Sequence, residues 1–231
     1  MSLMAADSTT LQHSRSLVRR NYHAGVIPAI VLAAGKSSRM GRPKATLPLP
    51  SGGTFLTRIV RTFLDAGVDD VVVVVGHEAQ SIVDDFAQSG LPARFVVNAA
   101  YERGQLTSLA AGLRFIDRPG VVAALVTLVD VPLVSVATVQ RVVERYRQSH
   151  APIVRPTRGE AHGHPLLIGR SLFNIIQQAD AETGAKPIVR AHASPAGDID
   201  IEDEGAFFDV DTPADYDELV RVFGRAVDPQ A

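Results

Sequence analysis

The chain has 231 residues and a formal net charge of -2, with 46% hydrophobic and 21% charged residues. This length allows one large domain with a full hydrophobic core, and the composition excludes a disordered chain and a long polyanionic partner such as nucleic acid. The sequence contains no cysteine, which excludes disulfides, cysteine-ligated metal centres and thiol nucleophiles. An anionic ligand must therefore be bound by a local group of cations.

The N-terminal residues 1–25 are polar and show no clear period, so we expect a disordered tail that begins with an expression scar, Met1-Ser2-Leu3. A single domain is expected over residues 26–226. The pair Arg19-Arg20 ahead of an apolar run is superficially similar to a twin-arginine signal, but we interpret the run as the first strand because cations follow it at once. No other apolar stretch approaches the roughly 20 residues of a membrane span, so the sequence predicts a cytoplasmic protein that binds no membrane.

The first half of the chain alternates apolar runs with helical periods. Strands are predicted over residues 27–32, 71–75, 94–97 and 121–129. Helices are predicted over residues 54–66, 79–88, 107–116 and, after an N-cap at Ser135, around Val139, Val142, Val143 and Tyr146. Five consecutive valines from residue 71 suit a strand that is covered on both faces. The alternation predicts an α/β fold in which helices cover both faces of a mostly parallel central sheet.

The second half has shorter elements. Two antiparallel strands are predicted within residues 152–168, around the turn Arg158-Gly159-Glu160. Helices over 171–179 and 185–193 and short strands over 199–201 and 207–210 are predicted next. The last helix begins at Thr212, the N-cap, and Pro213, and its predicted buried face consists of Tyr216, Leu219, Val220 and Phe223.

Residues 32–44, Leu-Ala-Ala-Gly-Lys-Ser-Ser-Arg-Met-Gly-Arg-Pro-Lys, join the first predicted strand to a cationic turn. Gly35 and Gly41 allow the backbone to fold tightly around an anion. The cations of the turn are Lys36, Arg39 and Lys44. The turn is not a P-loop, which requires glycine where Ile30 stands, and no Gly-x-Gly-x-x-Gly follows the strand. We interpret it as a phosphate-binding loop rather than a solvated surface turn.

Asp130 directly follows the predicted strand over residues 121–129. In an open α/β sheet the ligand lies outside the carboxyl ends of the strands, where the cationic loop also begins. A carboxylate beside bound phosphates indicates a magnesium ion, which prefers one or two carboxylates together with phosphate oxygens. Alternatively, Asp130 organises the turn at Val131-Pro132, and the two roles are compatible.

Five ordered motifs carry a resemblance to a known family. The loop at residues 32–44 resembles the signature loop of nucleotidyltransferases, and within them of the MobA-like branch. Four later segments follow in the order and spacing of its molybdenum cofactor cytidylyltransferase (MocA-like) group, and the resemblance covers residues 26–223. These segments are Gly104-Gln105-Leu106-Thr107-Ser108-Leu109, Asp130-Val131-Pro132-Leu133, Gly163-His164-Pro165 and Asp209-Val210-Asp211-Thr212-Pro213.

The resemblance implies a Rossmann-like three-layer α/β/α fold and magnesium-dependent nucleotidyl transfer with release of pyrophosphate. The implied catalytic residues are Arg39, Lys44 and Asp130. The implied metal ligands are Asp130 and Asp211, with Asp211 favoured over Asp209. The implied nucleotide-binding residues are Leu32, Ala33, Ala34, Gly35, Ser37, Ser38, Arg39, Gly41, Lys44, Gly76, Asn98, Gly104 and Ser108. The implied acceptor-binding residues are Gly163, His164 and Pro165.

Two of these residues keep a second interpretation beside the implied one. Asn98 either contacts the nucleotide or satisfies backbone groups at its own turn. His164 is either an acceptor-side residue or a turn residue beside proline. Lys36 is interpreted as a bystander of the phosphate-binding loop.

CTP is the expected nucleotide, because Ala34 stands where the guanylyl branch has glycine and its methyl leaves less room beside the base. One methyl group discriminates by only about 1 kcal/mol. Molybdopterin is the expected acceptor of CMP, with a molybdoenzyme or its maturation factor as a further partner. Transfer from GTP, or to a sugar or polyol phosphate, is the alternative within this chemistry. A MobA-related NAD(P)-linked oxidoreductase and a non-catalytic cofactor carrier are the alternatives of another class.

Overall fold

A sheet of eight strands runs through the part of the chain that the computed structural model describes, residues 25–223. The strands are β1 Ala29–Ala33, β2 Val71–Val75, β3 Arg94–Val97, β4 Ala123–Leu128, β5 Ile153–Arg158, β6 Ala161–His162, β7 Leu166–Gly169 and β8 Asp198–Asp200. The helices are α1 Phe55–Asp65, α2 Ala79–Ala87, α3 Gln105–Ile116, α4 Val136–Ser149, α5 Phe173–Gln178, α6 Lys186–His192 and α7 Pro213–Phe223. The predicted tail and expression scar over residues 1–25 lie outside the described residues, except for Gly25.

The strand order is β3-β2-β1-β4-β7-β5-β6, with β8 beside β5. The four strands from β3 to β4 are parallel, whereas β7 is antiparallel to both β4 and β5. The register pairs Ala33 with Val75 and Leu32 with Leu128, so β1, β2 and β4 end at one edge. This topology confirms the predicted mostly parallel sheet.

Helices cover both faces of the sheet, which gives three layers. Val71, Val73 and Val75 face a core built with α1, α2 and α4, whereas Val72 and Val74 face a core built with α3, α5 and α6. Successive side chains of a strand point to opposite faces, and all five valines are buried. The valine run is therefore covered on both sides, as predicted.

Local sequence signals fix where α1 begins and ends and where α4 begins. The hydroxyl of Thr54 accepts a hydrogen bond from the Thr57 backbone N–H at 3.4 Å, and Gly67 ends the helical turn with φ 85°. The hydroxyl of Ser135 caps α4 through the Thr138 backbone N–H at 3.2 Å. No helix among the described residues is long and apolar enough to cross a membrane.

The predicted strand over residues 207–210 is wrong. This segment follows the 3-10 turn Glu204–Ala206 and pairs with no strand. Val210 is buried, and its backbone N–H donates to the Asp130 carbonyl at 2.8 Å. The alternating pattern therefore does not mark a strand here. Val210 instead holds an irregular segment against the end of β4. The neighbouring prediction over 199–201 corresponds to β8, one residue earlier.

The final helix begins as predicted, but its predicted buried face is only partly correct. The Asp215 backbone N–H donates to the Thr212 hydroxyl at 3.3 Å, which confirms the N-cap. Leu219 is buried and Tyr216 packs against the same small core. Val220 is 39% exposed, because it lies on the outer side of the helix, and the Phe223 side chain lies outside the described part.

Candidate active site

A first cavity of about 390 Å³ opens at the carboxyl edge of β1 and β4. The strand ends form one wall and the cationic loop forms another. The predicted site residues that line it are Leu32, Ala33, Ala34, Gly35, Ser37, Ser38, Arg39, Lys44, Ser108, Asp130 and Asp211. Residues from four separate motifs thus meet around one space, as expected for ligands bound outside the strand ends.

The loop closes through the conformation of Ser37. Its φ of 49° lies in the left-handed region, which is uncommon for a residue other than glycine. Its hydroxyl accepts a hydrogen bond from the Lys44 backbone N–H at 3.0 Å, and its carbonyl accepts one from Met40 at 2.9 Å. These two bonds return the chain to the strand ends. Gly41, with φ 68°, permits the turn but does not line the cavity.

Lys44 connects the two predicted metal ligands. Its Nζ lies 3.0 Å from Asp130 Oδ2 and 2.6 Å from Asp211 Oδ1, and its side chain is only 11% exposed. Burial alone would lower the pKa of the Lys44 ammonium, but hydrogen bonds and charges from Asp211 and Asp130 outweigh it and raise the pKa. Arg39 Nη1 lies 3.9 Å from Asp211 Oδ2. Two cations, Lys44 and Arg39, and two carboxylates, Asp130 and Asp211, therefore lie together in the first cavity.

The donor set fits a divalent cation. Asp130 Oδ1 is buried and has no hydrogen-bond partner among the described residues. An unpartnered buried oxygen is costly, and a hard cation would satisfy it. No group of three or more histidine, aspartate or glutamate residues converges in the described part of the chain. Phosphate oxygens or water would thus have to complete the coordination of an ion held by Asp130 and Asp211.

Asp211 is held in place by a residue that the sequence interpretation missed. Asp215 Oδ2 accepts hydrogen bonds from the backbone N–H groups of Asp211 at 3.0 Å and Thr212 at 2.7 Å. Hydrogen bonds from the Thr212 hydroxyl and backbone lower the pKa of the Asp215 carboxyl. The Thr-x-x-Asp capping pattern is the signal that would have found it. Asp209 does not line the first cavity.

Three predicted nucleotide-binding residues lie behind the cavity wall. A Cβ on Gly76 would come within 2.7 Å of the Tyr101 ring, so Gly76 makes room for Tyr101, which lines the cavity. The Asn98 amide donates to the hydroxyls of Thr107 and Ser108, both at 2.9 Å, and its oxygen accepts from the Ala100 N–H. One of these bonds satisfies the backbone of its own turn, which is the second interpretation of Asn98, and its contact with the nucleotide stays a prediction. Gly104, with φ 113°, precedes α3 as its N-cap.

Two polar side chains in the wall were missed from the sequence, namely Tyr101 and Gln105. Gln105 belongs to a quoted motif, so its spacing was available as a signal. Tyr101 has no such pattern. Lys36 pairs with Glu102 at 2.6 Å on the exposed surface and does not line the cavity.

A second cavity of about 400 Å³ adjoins the first and shares Leu32, Gln105 and Leu128 with it. Gly163 and His164 line this second cavity, whereas Pro165, joined to His164 by a cis peptide bond, lies outside its lining. Burial lowers the pKa of the His164 imidazole, although a backbone hydrogen bond and the charges of Asp130 and Asp209 act in the opposite direction. A lowered pKa favours the neutral form of the imidazole.

A cation-lined cavity with a carboxylate pair, beside a second cavity that leaves room for another substrate, is the arrangement that nucleotidyl transfer requires. The fold and the site define a nucleotidyltransferase. Residues 29–196 match the MobA-like NTP transferase domain, and the chain belongs to that family. This agrees with the family that the five motifs resemble.

Named relatives span the chain. Nicotine blue oxidoreductase from Paenarthrobacter nicotinovorans is 33% identical over 80% of this chain and 92% of its own length. A probable molybdenum cofactor guanylyltransferase from Rhodopirellula baltica is 31% identical over 73% of this chain and 88% of its own length. Members that share this scaffold thus carry names from two reaction classes.

Solved structures share the fold. The crystal structure of Rv0371c from Mycobacterium tuberculosis has a TM-score of 0.73 and 28% identity, covering 86% of this chain and 98% of that one. Its complex with manganese has a TM-score of 0.69 and 25% identity, covering 85% and 99%. Nucleotidyltransferases of this family usually use a divalent metal.

Proposed function

We propose that this enzyme transfers CMP from CTP to molybdopterin in the cytoplasm, with magnesium as the cofactor and pyrophosphate as the second product. The single observation that carries the proposal is the position of Lys44 between Asp130 and Asp211, at 3.0 and 2.6 Å, in the mouth of the first cavity. A molybdoenzyme or its maturation factor would receive the product.

The proposed reaction is an in-line displacement. An oxygen of the acceptor phosphate forms a bond to the α-phosphorus, and the bond from that phosphorus to the bridging oxygen breaks, so pyrophosphate leaves with the electron pair. The nucleophile is already an anion and needs no general base. Arg39 offers a fork of donors to phosphate oxygens, and Lys44 offers a compact charge. Their task is to position the triphosphate and to stabilise charge that develops during displacement.

Magnesium would be held by Asp130 and Asp211, and it would neutralise phosphate charge there. The unpartnered Asp130 Oδ1 supports this assignment. In the absence of metal, the Lys44 ammonium occupies the position between the two carboxylates. The same ammonium becomes available to phosphate once the carboxylates have another cation.

The proposed choice of CTP rests on Ala34. This residue lines the first cavity and is buried, and its carbonyl accepts the His77 backbone N–H at 3.1 Å. Its methyl therefore occupies a fixed position in the cavity wall. The name of the Rhodopirellula baltica relative supports GTP as the alternative. The same name supports molybdopterin as acceptor over a sugar or polyol phosphate.

The test is pyrophosphate release with magnesium, CTP, GTP, UTP or ATP, each with and without molybdopterin. We expect turnover with CTP that depends on molybdopterin, and its loss in Asp130→Asn. If GTP were the one nucleotide that gives turnover with molybdopterin, the enzyme would transfer GMP rather than CMP. No turnover with any nucleotide and molybdopterin would remove molybdopterin as the acceptor.

An oxidoreductase is the second candidate function, since the Paenarthrobacter nicotinovorans relative carries that name. The alternative drawn from the sequence is an oxidoreductase linked to NAD(P). Against it, the loop after β1 lacks the Gly-x-Gly-x-x-Gly fingerprint. Titration of the protein with NADH and NADPH, followed by fluorescence, separates the two candidates. Saturable binding would support the oxidoreductase, and its absence would leave the transferase.

A further inference from the structure

The second cavity has an apolar interior. Its walls come from β4, β7, α3 and α6, and the side chains that form them are Leu109, Val126, Leu128, Leu166 and Val189. Hydroxyl groups of a bound sugar or polyol would lose hydrogen bonds to water against such a surface. A flat ring would bury its faces there favourably.

Three cationic side chains line this cavity, namely Arg155, Lys186 and Arg190. None of the described lining residues is acidic. Arg155 is 15% exposed and is balanced by Asp198, whose Oδ1 accepts from its Nε at 2.7 Å. Lys186 and Arg190 are exposed, and within the described chain neither side chain forms an ion pair or hydrogen bond. Two unbalanced positive charges thus face one apolar space.

The pair lies on α6 at positions i and i+4, the spacing at which like charges repel across one helical turn. Charges that repel each other and have no partner among residues 25–223 oppose folding slightly, and an anion placed between them would relieve that repulsion. The pair is separate from the catalytic cations, because Arg39 and Lys44 line only the first cavity.

We propose that Lys186 and Arg190 bind an anionic group of the acceptor whose ring occupies the apolar interior of the second cavity. As a subsite for the acceptor, the assignment rests on the proposed nucleotidyl transfer. It defines the substrate class as a flat, ring-bearing anion. Gln105, which lines both cavities, lies where the two substrates meet.

Equilibrium binding of two fluorescent probes tests this assignment without nucleotide or turnover. Naphthyl phosphate carries a flat ring and an anion, whereas naphthol carries the ring alone. We expect the wild type to bind naphthyl phosphate at least about tenfold more tightly than naphthol, since charge-assisted hydrogen bonds typically contribute that much. In the double variant Lys186→Ala, Arg190→Ala this ratio should approach one, with naphthol affinity within about twofold of wild type.

The matched control is Arg58→Ala, Arg61→Ala, which removes two exposed arginines from α1 on the opposite face of the sheet. It should keep the wild-type ratio. An unchanged ratio in Lys186→Ala, Arg190→Ala, or no preference for naphthyl phosphate in the wild type, would overturn the assignment. If the CTP and molybdopterin assay fails while the probe ratio behaves as expected, the anion subsite stands and the proposed acceptor does not.

Discussion

The two ends of the central sheet carry ion clusters of similar composition but different completeness. At the amino end, Asp70 directly precedes β2 and accepts Arg94 Nη2 on Oδ1 and Arg118 Nη2 on Oδ2, each at 2.6 Å. Arg94 also lies 4.8 Å from the centre of the Phe115 ring. Both carboxylate oxygens are satisfied within the chain, so this cluster joins β2, β3 and the end of α3 without a ligand.

At the carboxyl end, the pairing is incomplete. Lys44 serves two carboxylates with one ammonium, and Asp130 Oδ1 is buried without a partner among the described residues. A buried acceptor without a partner reduces stability, and such an arrangement is expected where a ligand supplies the missing partner. The amino-end cluster therefore stabilises the fold by itself, whereas the carboxyl-end cluster leaves one buried acceptor for a ligand.

Replacing Asp130 should produce the largest effect on activity. Asp130→Asn keeps the size of the side chain but removes the charge that a divalent cation requires. We expect the rate of pyrophosphate release to fall by about 100-fold or more, as for loss of a group that stabilises transition-state charge. Binding of Mn²⁺, followed by electron paramagnetic resonance, should weaken in parallel. Unchanged Mn²⁺ binding would show that the unpartnered oxygen has no role toward metal.

Replacing Lys44 should separate transfer from metal binding. In Lys44→Met the positive charge is lost while much of the chain length remains, so transfer should fall by about 100-fold. Binding of Mn²⁺ without nucleotide should become several-fold tighter, because no ammonium competes for Asp130 and Asp211. Arg39→Met is the control. It should change Mn²⁺ binding less than Lys44→Met does, because the Arg39 guanidinium is more distant, at 3.9 Å from Asp211. Weaker Mn²⁺ binding by Lys44→Met would contradict the competition.

Replacing Asp70 should affect stability without affecting chemistry. Asp70→Asn removes the negative charge and replaces one of the two oxygens that accept from Arg94 and Arg118 with a donor. We expect the free energy of unfolding to fall by about 1–2 kcal/mol. Urea unfolding measures this change, while the Michaelis constant for the nucleotide should stay at the wild-type value. A raised Michaelis constant would show that the two ends of the sheet are not independent.

The same variant has a defined pH dependence. Burial would raise the pKa of the Asp70 carboxyl, but hydrogen bonds from Arg118 and Arg94 outweigh it and lower the pKa below the ordinary 3.8. A carboxyl with a lowered pKa stabilises the fold above its ordinary pKa, and this contribution is lost as the pH falls through the folded-state value. The stability difference between wild type and Asp70→Asn should therefore be full at pH 6 and shrink below about pH 4.

The parallel half of the fold follows from local sequence signals. The valine run of β2 and the cap at Ser135 both act within a few residues, so their patterns predict the elements correctly. Residues 207–210 have an equally good strand pattern, but the segment pairs with no strand, and the Val210 backbone N–H donates to the Asp130 carbonyl, far away in the sequence. An alternating pattern indicates that alternate side chains are buried. It does not predict which backbone groups the segment will hydrogen-bond with.

The same limit applies to the site. The order of the motifs predicts which loops meet at the strand ends, but not which polar groups satisfy one another. The hydrogen bonds of Asn98 go to Ala100, Thr107 and Ser108, and the place of Tyr101 depends on the missing side chain of Gly76. Such details depend on packing between distant segments, which periodicity does not encode.

Replacing Asp215 should have an intermediate effect, because its carboxylate holds the backbone of Asp211, the proposed second metal ligand. Asp215→Ala removes the acceptor of the Asp211 and Thr212 backbone N–H groups. We expect transfer to fall by about tenfold and Mn²⁺ affinity to fall with it, since a small displacement of a ligand lowers both. Asp215→Asn retains one acceptor oxygen and should restore part of each. Loss of helix stability without any change in Mn²⁺ affinity would limit Asp215 to capping.

Replacing Ala34 should have the smallest effect and would refine the carboxyl-end site rather than disable it. In Ala34→Gly the methyl is lost from a buried wall position of the first cavity. Removing one methyl changes the discrimination between two bases by about tenfold at most, so kcat/KM for GTP should rise relative to CTP by several-fold. Competition between the two nucleotides in the pyrophosphate assay measures the ratio, with Ala33→Gly as the matched control one position earlier. An unchanged ratio would mean that the methyl does not contribute to base choice, and that the selecting contacts come from another wall of the cavity, where Tyr101 and Gln105 lie.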